Sequence, residues 1–338
     1  MKILLAPLNW GLGHASRCVP LVQRLLDEGH EVVLGGDGDS LTLLRKHFPK
    51  LRYVYLAPLN LRYGSGKRQV WAVVRMLPQL IRWAIQDHAM LQAVLREEQF
   101  DQVISDNRFG LYSNQLSAVS NQPVECIYMT HQLHIRLPRG WRWAEPIAAR
   151  LHARVYTRFN RVWVPDRREV ANSLAGDLSR IPSSFHLPPF TFEYIGPLSR
   201  FKNLSPPNSP RSTNYKVVAV LSGLEPQRTQ LEKEIVERYM GKEEKVLIVQ
   251  GLPGKPLLRV THRNITLVPY MNDAELAQAL CSASHIIARS GYSTIMDLEA
   301  LGLLTANSQP PTAKIELIPT PGQPEQEYLS EWLSRRSQ

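Results

Sequence analysis

A short apolar run, Ile3-Leu4-Leu5-Ala6, gives way to the turn Gly11-Leu12-Gly13-His14, and a second run, Glu31-Val32-Val33-Leu34-Gly35-Gly36, follows close behind. Between them Val19, Leu21, Val22, Leu25 and Leu26 recur at helical spacing until Gly29 ends the stretch. A strand, a helix and a strand joined this tightly form a βαβ unit. Such a unit commits the chain to a parallel sheet, with function gathered at the carboxyl ends of its strands.

The same alternation predicts strands at Tyr53-Val54-Tyr55-Leu56, Gln102-Val103-Ile104-Ser105, Glu125-Cys126-Ile127-Tyr128 and Arg161-Val162-Trp163-Val164, most of them separated by helical stretches. From Ser199 to Tyr215 the chain becomes polar and rich in breakers, as in Ser205-Pro206-Pro207-Asn208-Ser209-Pro210, which is the composition of a linker. The pattern restarts with Lys216-Val217-Val218-Ala219-Val220-Leu221, the turn Ser222-Gly223 and a helix carrying Leu231, Ile235, Val236 and Tyr239. Strands are then expected at 246–249, 265–268 and 285–288 and near 315–318, followed by a helix around Tyr328 to Trp332. At 338 residues the chain is about twice the usual size of one domain. The expectation is therefore a first α/β domain over 1–198, a linker over 199–215 and a second α/β domain over 216–338.

No run of about 18 uncharged apolar residues exists to span a bilayer, and the first apolar run is too short for a secretory signal. Cys18, Cys126 and Cys281 stand far apart, without the paired spacing of a zinc site or of a disulfide framework. A cytoplasmic location is expected. The formal net charge of +10 favours an anionic partner, whether nucleic acid, phospholipid headgroups or a diphosphate.

The turn at Gly11, Gly13 and His14 ends a strand and opens a helix, where glycines permit close approach and free N–H groups face an anion. It lacks the third glycine and the distal acidic residue of a dinucleotide site. Imidazole ordinarily titrates near neutrality, so a histidine there suits taking the proton of an attacking hydroxyl; the plainer alternative is a helix cap. Asp106, Asn107 and Arg108 follow another strand and should project from the same edge. Asp106 is either a helper that orients His14 or an Asx-turn cap. His131 and His134 occupy that edge too, and read as pocket lining, with no metal site expected. In the second half, Ala288-Arg289-Ser290-Gly291-Tyr292-Ser293-Thr294 reads as a phosphate cradle at a helix N-terminus. Thr294 and Asp297 also fit a capping box. Arginines and aromatics interleave from Arg62-Tyr63 to Trp83 and from Arg136 through Trp141-Arg142-Trp143 to Trp163. That composition suits a solvated face over buried aromatics, or contact with an anionic membrane. No nucleic-acid motif accompanies it.

Three motifs, Gly11-Leu12-Gly13-His14, Ala288-Arg289-Ser290-Gly291 leading to Asp297, and Ile318-Pro319-Thr320-Pro321-Gly322-Gln323-Pro324-Glu325-Gln326, together resemble the GT-B glycosyltransferases. They are most similar to the group that includes the UDP-N-acetylglucosamine transferase of peptidoglycan synthesis (MurG-like, family 28). The resemblance implies two Rossmann-like doubly wound domains facing an interdomain cleft, with the acceptor on the first and the nucleotide-sugar on the second. By it, Ser290 and Gly291 match the diphosphate-contacting turn, and Asp297 an acidic residue, usually glutamate, on the ribose. Gln326, in a segment with Gln323, matches a glutamine on the donor sugar. Tyr270 and Met271 match the stretch beside the uracil, Ser222 and Gly223 the first loop of the donor domain, and His14 the base or acceptor-orienting group. The early turn has fewer glycines than the peptidoglycan enzyme, the acceptor half diverges, and the donor domain is expected to be a shortened one. The activity implied is metal-independent inverting transfer from a UDP-sugar, with no cofactor, to an unidentified acceptor hydroxyl, a lipid-linked one among the readings. A UDP-sugar-binding or membrane-associated protein without catalysis, and a UDP-sugar 2-epimerase, are the alternatives. The epimerase would need carboxylates around the sugar, and none cluster near His14 or Ser290.

Overall fold

A computed structural model describes residues 1–59, 69–116, 123–181, 192–202, 204, 214–304 and 313–336, with 69–76 as backbone only. The chain divides into two compact units: Met1–Trp10 with His14–Leu198, and Gly11–Gly13 with Ser199–Gln338.

In the first unit the elements run β1 (Lys2–Pro7), α1 (Gly13–Asp27), β2 (Glu31–Gly36), α2 (Gly38–His47), β3 (Tyr53–Tyr55), α3 (Gln69–Glu97), β4 (Gln102–Asp106), β5 (Glu125–Met129), α4 (Glu145–Tyr156), β6 (Arg161–Val164) and β7 (Phe192–Tyr194). Their sheet has the order β3-β2-β1-β4-β5-β6-β7, and every pair is parallel. From β1 the chain winds outward to β3 and then returns to lay β4 on the other side of β1. The switch point of this doubly wound sheet therefore lies between β1 and β4, the place where such folds bind ligands. Register sets Pro7 beside Asp106 and Asp106 beside Met129, so Asp106 stands on the carboxyl edge.

The second unit carries β8 (Val217–Val220), α5 (Gln227–Tyr239), β9 (Val246–Val249), β10 (Val260–His262), β11 (Ile265–Val268), α6 (Asp273–Ser282), β12 (His285–Arg289), α7 (Tyr292–Ala300), β13 (Lys314–Ile318) and α8 (Pro324–Arg336). Its order is β10-β11-β9-β8-β12-β13, parallel except for β10 on β11, so its switch point lies between β8 and β12. The pleat alternates side chains between two cores. Val217, Ala219, Val246, Ile248 and Ile287 face one, and Val218, Leu247, Val249 and Ile286 the other. Strands buried on both faces read as continuous apolar runs, and that is why the sequence located them without alternation.

Two strands were not anticipated. β7 and β10 are three-residue edge strands. All of β10 is exposed, so no apolar pattern marks it, and it exists only because β11 offers a free edge. The expected linker also needs correcting at its ends. Phe201 is buried in the second core with Tyr215 packed against it, and the Tyr215 hydroxyl donates to Thr266 Oγ1 at 3.3 Å. Single aromatics within a polar stretch anchored both ends of the segment. The Pro-rich centre of that linker and Arg62-Tyr63 lie outside the described residues. Among the described residues, no helix is long and apolar enough to cross a membrane.

Candidate functional site

α1 begins at Gly13, so His14 sits in its first turn and Arg17 follows on the same face. Gly11, just before, holds φ at 75°, a left-handed conformation that glycine adopts without strain. Arg17 is 2% exposed and its guanidinium forks over Asp106: Nε donates to Oδ2 at 2.8 Å, and Nη2 donates to Oδ1. His14 Nδ1 lies 3.1 Å from Asp106 Oδ1 and 3.0 Å from Arg17 Nη2. Arg17 Nη1 reaches His131 Nδ1 at 3.1 Å from the other side. The structure thus brings His14, Asp106 and His131 together, and the residue that joins them is one the sequence reading passed over. The available signal was spacing, since an arginine three residues after a helix-opening histidine, among apolar neighbours, must find a buried anion.

Burial would push the Asp106 carboxyl up, but the Arg17 charge outweighs it and holds the group well below the usual carboxylate range. Cys18 Sγ approaches Asp106 Oδ2 at 3.7 Å, and burial pushes its thiol far above the ordinary value, so it is no nucleophile.

Asn107 adopts φ 59° and accepts a hydrogen bond from the Tyr128 hydroxyl at 2.9 Å, which also meets His152 Nε2 at 3.1 Å. Burial lowers His152 to about 4, so this ring stays neutral. Arg108, expected to face an acceptor, instead points inward and is wholly buried. Nε and Nη2 donate to Asp87 at 3.1 and 2.6 Å, Nη1 to Asp37 at 2.9 Å and to the Pro7 carbonyl at 3.4 Å, and Nη2 to the Ala57 carbonyl at 2.7 Å. All five N–H groups are consumed, which makes Arg108 a tie between the edges of β1, β2 and α3. Sequence placed it at the right edge, but only packing decides whether a side chain there turns out or in.

In the second unit the two expected turns, Ser222-Gly223 after β8 and Ser290-Gly291 after β12, flank the switch point between those strands. Gly223 holds φ at 99°. Gly291 is the N-cap of α7 and brings no side-chain capping bond. Thr294 lies inside that helix, which rules out the capping box. Ser290 is buried and its hydroxyl donates to the Gln326 carbonyl at 2.8 Å. Gln326 accepts from the Thr320 N–H at 2.8 Å and donates to Gln323 Oε1 at 2.6 Å, closing the turn after β13 and leaving one N–H and one lone pair. Arg289 is corrected from phosphate contact to a brace: it donates to the carbonyls of Pro319 at 3.1 Å and Gln227 at 2.8 Å, 4% exposed. Tyr270 is half-buried and Met271 is buried in the core beside α6.

Asp297, in the middle of α7, accepts from the Ser199 hydroxyl at 2.6 Å and lies 3.5 Å from Arg200 Nε, while Arg200 also pairs with Asp273 at 3.1 Å. Burial pushes its carboxyl up to about 6, with Arg200 and Ser199 opposing only in part. Among the described residues no three His, Cys, Asp or Glu side chains group as metal ligands.

No family model matches the chain. A curated "Uncharacterized glycosyltransferase" of Methanosarcina acetivorans is 52% identical over 46 residues, covering 14% of this chain and 12% of its own length. The alignment therefore touches about an eighth of that relative. Among solved structures, the glycotransferase of kitacinnamycin aligns over 98% of this chain and 84% of its own, with TM-score 0.54 and 14% identity. The glycosyltransferase SnogD from Streptomyces nogalater aligns over 98% and 84%, with TM-score 0.51 and 17% identity. Spinosyn rhamnosyltransferase SpnG complexed with thymidine diphosphate aligns over 99% and 91%, with TM-score 0.51 and 15% identity. The chain has the two-domain α/β fold of the GT-B glycosyltransferases.

Proposed function

We propose that this chain is a metal-independent inverting glycosyltransferase that moves a sugar from a UDP-sugar to an acceptor hydroxyl, in the manner of the MurG-like group. The observation that carries the reading is that both residue sets expected from sequence stand at the switch points of their own sheets. His14 and Asp106 flank the one between β1 and β4, and Ser222-Gly223 and Ser290-Gly291 the one between β8 and β12.

In this reading the first unit acts on the acceptor and the second holds the donor. His14 takes the hydroxyl proton as the acceptor oxygen bonds to the anomeric carbon. The bond from that carbon to the diphosphate breaks, and its electron pair leaves with the diphosphate. Asp106 stabilises the imidazolium that forms. The positive N-terminal end of the α7 dipole takes up the charge of the leaving group, which is the part a metal ion plays elsewhere. The remaining donor and acceptor groups of Gln326 suit the sugar hydroxyls, and Asp297 suits the ribose. Because SpnG is complexed with thymidine diphosphate, the nucleotide test covers both pyrimidines. Calorimetry should show UDP or thymidine diphosphate binding. His14→Ala should lower turnover of the matching donor sugar by about 10²–10⁴-fold and leave nucleotide binding unchanged. Binding without turnover of any donor by the native chain would favour a non-catalytic sugar-nucleotide binder.

The acceptor's setting is read from two exposed apolar rows at helical spacing. Leu77, Ile81 and Ile85 line α3, and Trp143, Ile147 and Leu151 run along α4 and the turn before it. Trp143 is 69% exposed, and Arg139, Arg142, Arg150 and Arg154 stand exposed around its row. Apolar residues ringed by arginine complement an anionic bilayer surface, so a lipid-linked acceptor met at the cytoplasmic face of a membrane is proposed. The chain should sediment with vesicles containing phosphatidylglycerol and not with pure phosphatidylcholine. Ile147→Glu with Leu151→Glu should release it, and equal binding by that variant would dismiss this surface.

A further inference from the structure

Arg17 touches two imidazoles of the first unit, those of His14 and His131, and a guanidinium has N–H groups to give and no lone pair with which to accept. Its bond to His131 Nδ1, 3.1 Å from Nη1, therefore settles where that ring carries its hydrogen. Nδ1 must be the bare nitrogen, and a neutral His131, 4% exposed, holds its proton on Nε2. The same rule bears on His14. Its Nδ1 has two neighbours with opposite demands: Arg17 Nη2 at 3.0 Å can only donate, and ionised Asp106 Oδ1 at 3.1 Å can only accept.

Geometry decides between them. Nη2 carries two hydrogens. One goes to Asp106 Oδ1, and the second points at His14 Nδ1. With that hydrogen in place, Nδ1 has no room for one of its own. We infer that Arg17 is a positioning residue which holds the unliganded His14 in its Nε2–H form, a hydrogen-bond donor, and that His14 becomes a base only when its Nδ1 exchanges the Arg17 bond for one to Asp106. The inference rests on the reading of His14 as the group that acts on the acceptor hydroxyl, and says in what state that group waits.

The exchange is small. Asp106 Oδ1 already lies within hydrogen-bond reach of Nδ1, so a modest turn of the ring or of Nη2 changes the partner, while Nε2 gives its proton to solvent and Nδ1 takes one from solvent, leaving the net charge unchanged. Asp106 keeps its charge throughout, because Arg17 Nε remains on Oδ2 at 2.8 Å. The other titratable groups that face this carboxylate are Cys18 of α1 and Tyr128 of β5, both buried and both pushed far up by that burial, so neither competes for the proton. A resting donor form suits an enzyme whose acceptor must first be gripped by its hydroxyl oxygen. It also leaves His14 without a free base before the acceptor arrives, which suppresses wasteful hydrolysis of a sugar-nucleotide by water.

The test reads tautomers directly and needs no substrate. Long-range nitrogen–proton spectra of the full chain, labelled with nitrogen-15 in histidine, separate Nδ1–H from Nε2–H rings; His14 and His131 signals are assigned by their loss in His14→Gln and His131→Gln. At a pH where the rings are neutral, both should be in the Nε2–H form in the native protein. In Arg17→Met, His14 should switch to Nδ1–H, bonded to Asp106, and Arg17→Lys, which keeps the charge without the fork, should give a mixture. A carbon-13 titration of Asp106 should move up by about one to three units in Arg17→Met. A native His14 in the Nδ1–H form, or a tautomer unchanged between native protein and Arg17→Lys, would overturn the inference; those two measurements decide it even if Arg17→Met does not fold. The reading of His14 stands or falls separately, on whether His14→Ala keeps its turnover.

Discussion

Asp106 and Asp297 make an instructive pair. Asp106 ends β4 and is buried, Asp297 lies in the middle of α7 and is largely buried, and each has one arginine for a neighbour. Their protonation nonetheless diverges in opposite directions: Asp106 is held far below the ordinary value and Asp297 is raised to about 6. In the first unit the guanidinium meets both carboxylate oxygens in a fork. In the second, Arg200 stands 3.5 Å from a single oxygen and shares itself with Asp273. Burial alone fixes neither the charge of a carboxylate nor its use. The geometry of the cation does, since a bidentate pair repays desolvation and a distant, shared one does not.

The comparison breaks most severely at the fork. Asp106→Ala leaves the Arg17 charge buried without its carboxylate, and should lower the stability of the first unit by about 3–5 kcal/mol in denaturant unfolding. A loss below about 1 kcal/mol would mean that Arg17 finds solvent or another anion, and that the fork is not what sets the two carboxylates apart.

A smaller effect sharpens the other side. The folded Asp297 titrates above its ordinary value of 3.8, so its contribution to stability is fully present at low pH and is lost as pH rises to about 6. The window from 3.8 to about 6 caps that loss at about 3 kcal/mol. Asp297→Asn keeps an oxygen for the Ser199 hydroxyl and removes the charge. Its melting temperature should therefore lack the native decline between pH 4 and 6 and exceed the native value at pH 7. Identical pH profiles for the two proteins would show that Arg200 neutralises Asp297 as fully as Arg17 does Asp106.

How much was legible beforehand varies by level. The eleven strands read from apolar runs are present, most of them because strands buried on both faces carry their own signature; β10 was missed because an exposed edge strand carries none, and β7 because three residues, one of them an exposed Glu193, make too short a run. The turns at Gly11 to His14 and at Ser290-Gly291 were visible as glycine and small residues between a strand and a helix. Side-chain direction was not. Arg108 and Arg289 stand where expected and are spent on protein groups, Asp297 faces Ser199 and Arg200, and Arg17 escaped notice while joining His14, Asp106 and His131.

The sequence by itself determined the two doubly wound sheets, the carboxyl edge of each and the turns that come to that edge, because periodicity, turn chemistry and crossover handedness are local properties of the chain. Tertiary structure alone decided which of those residues stay available. Whether a charge at a strand end turns toward solvent or toward a partner depends on groups brought from distant segments, such as Arg17 and Asp106, 89 positions apart. The energy of that pairing exists only once both have left water.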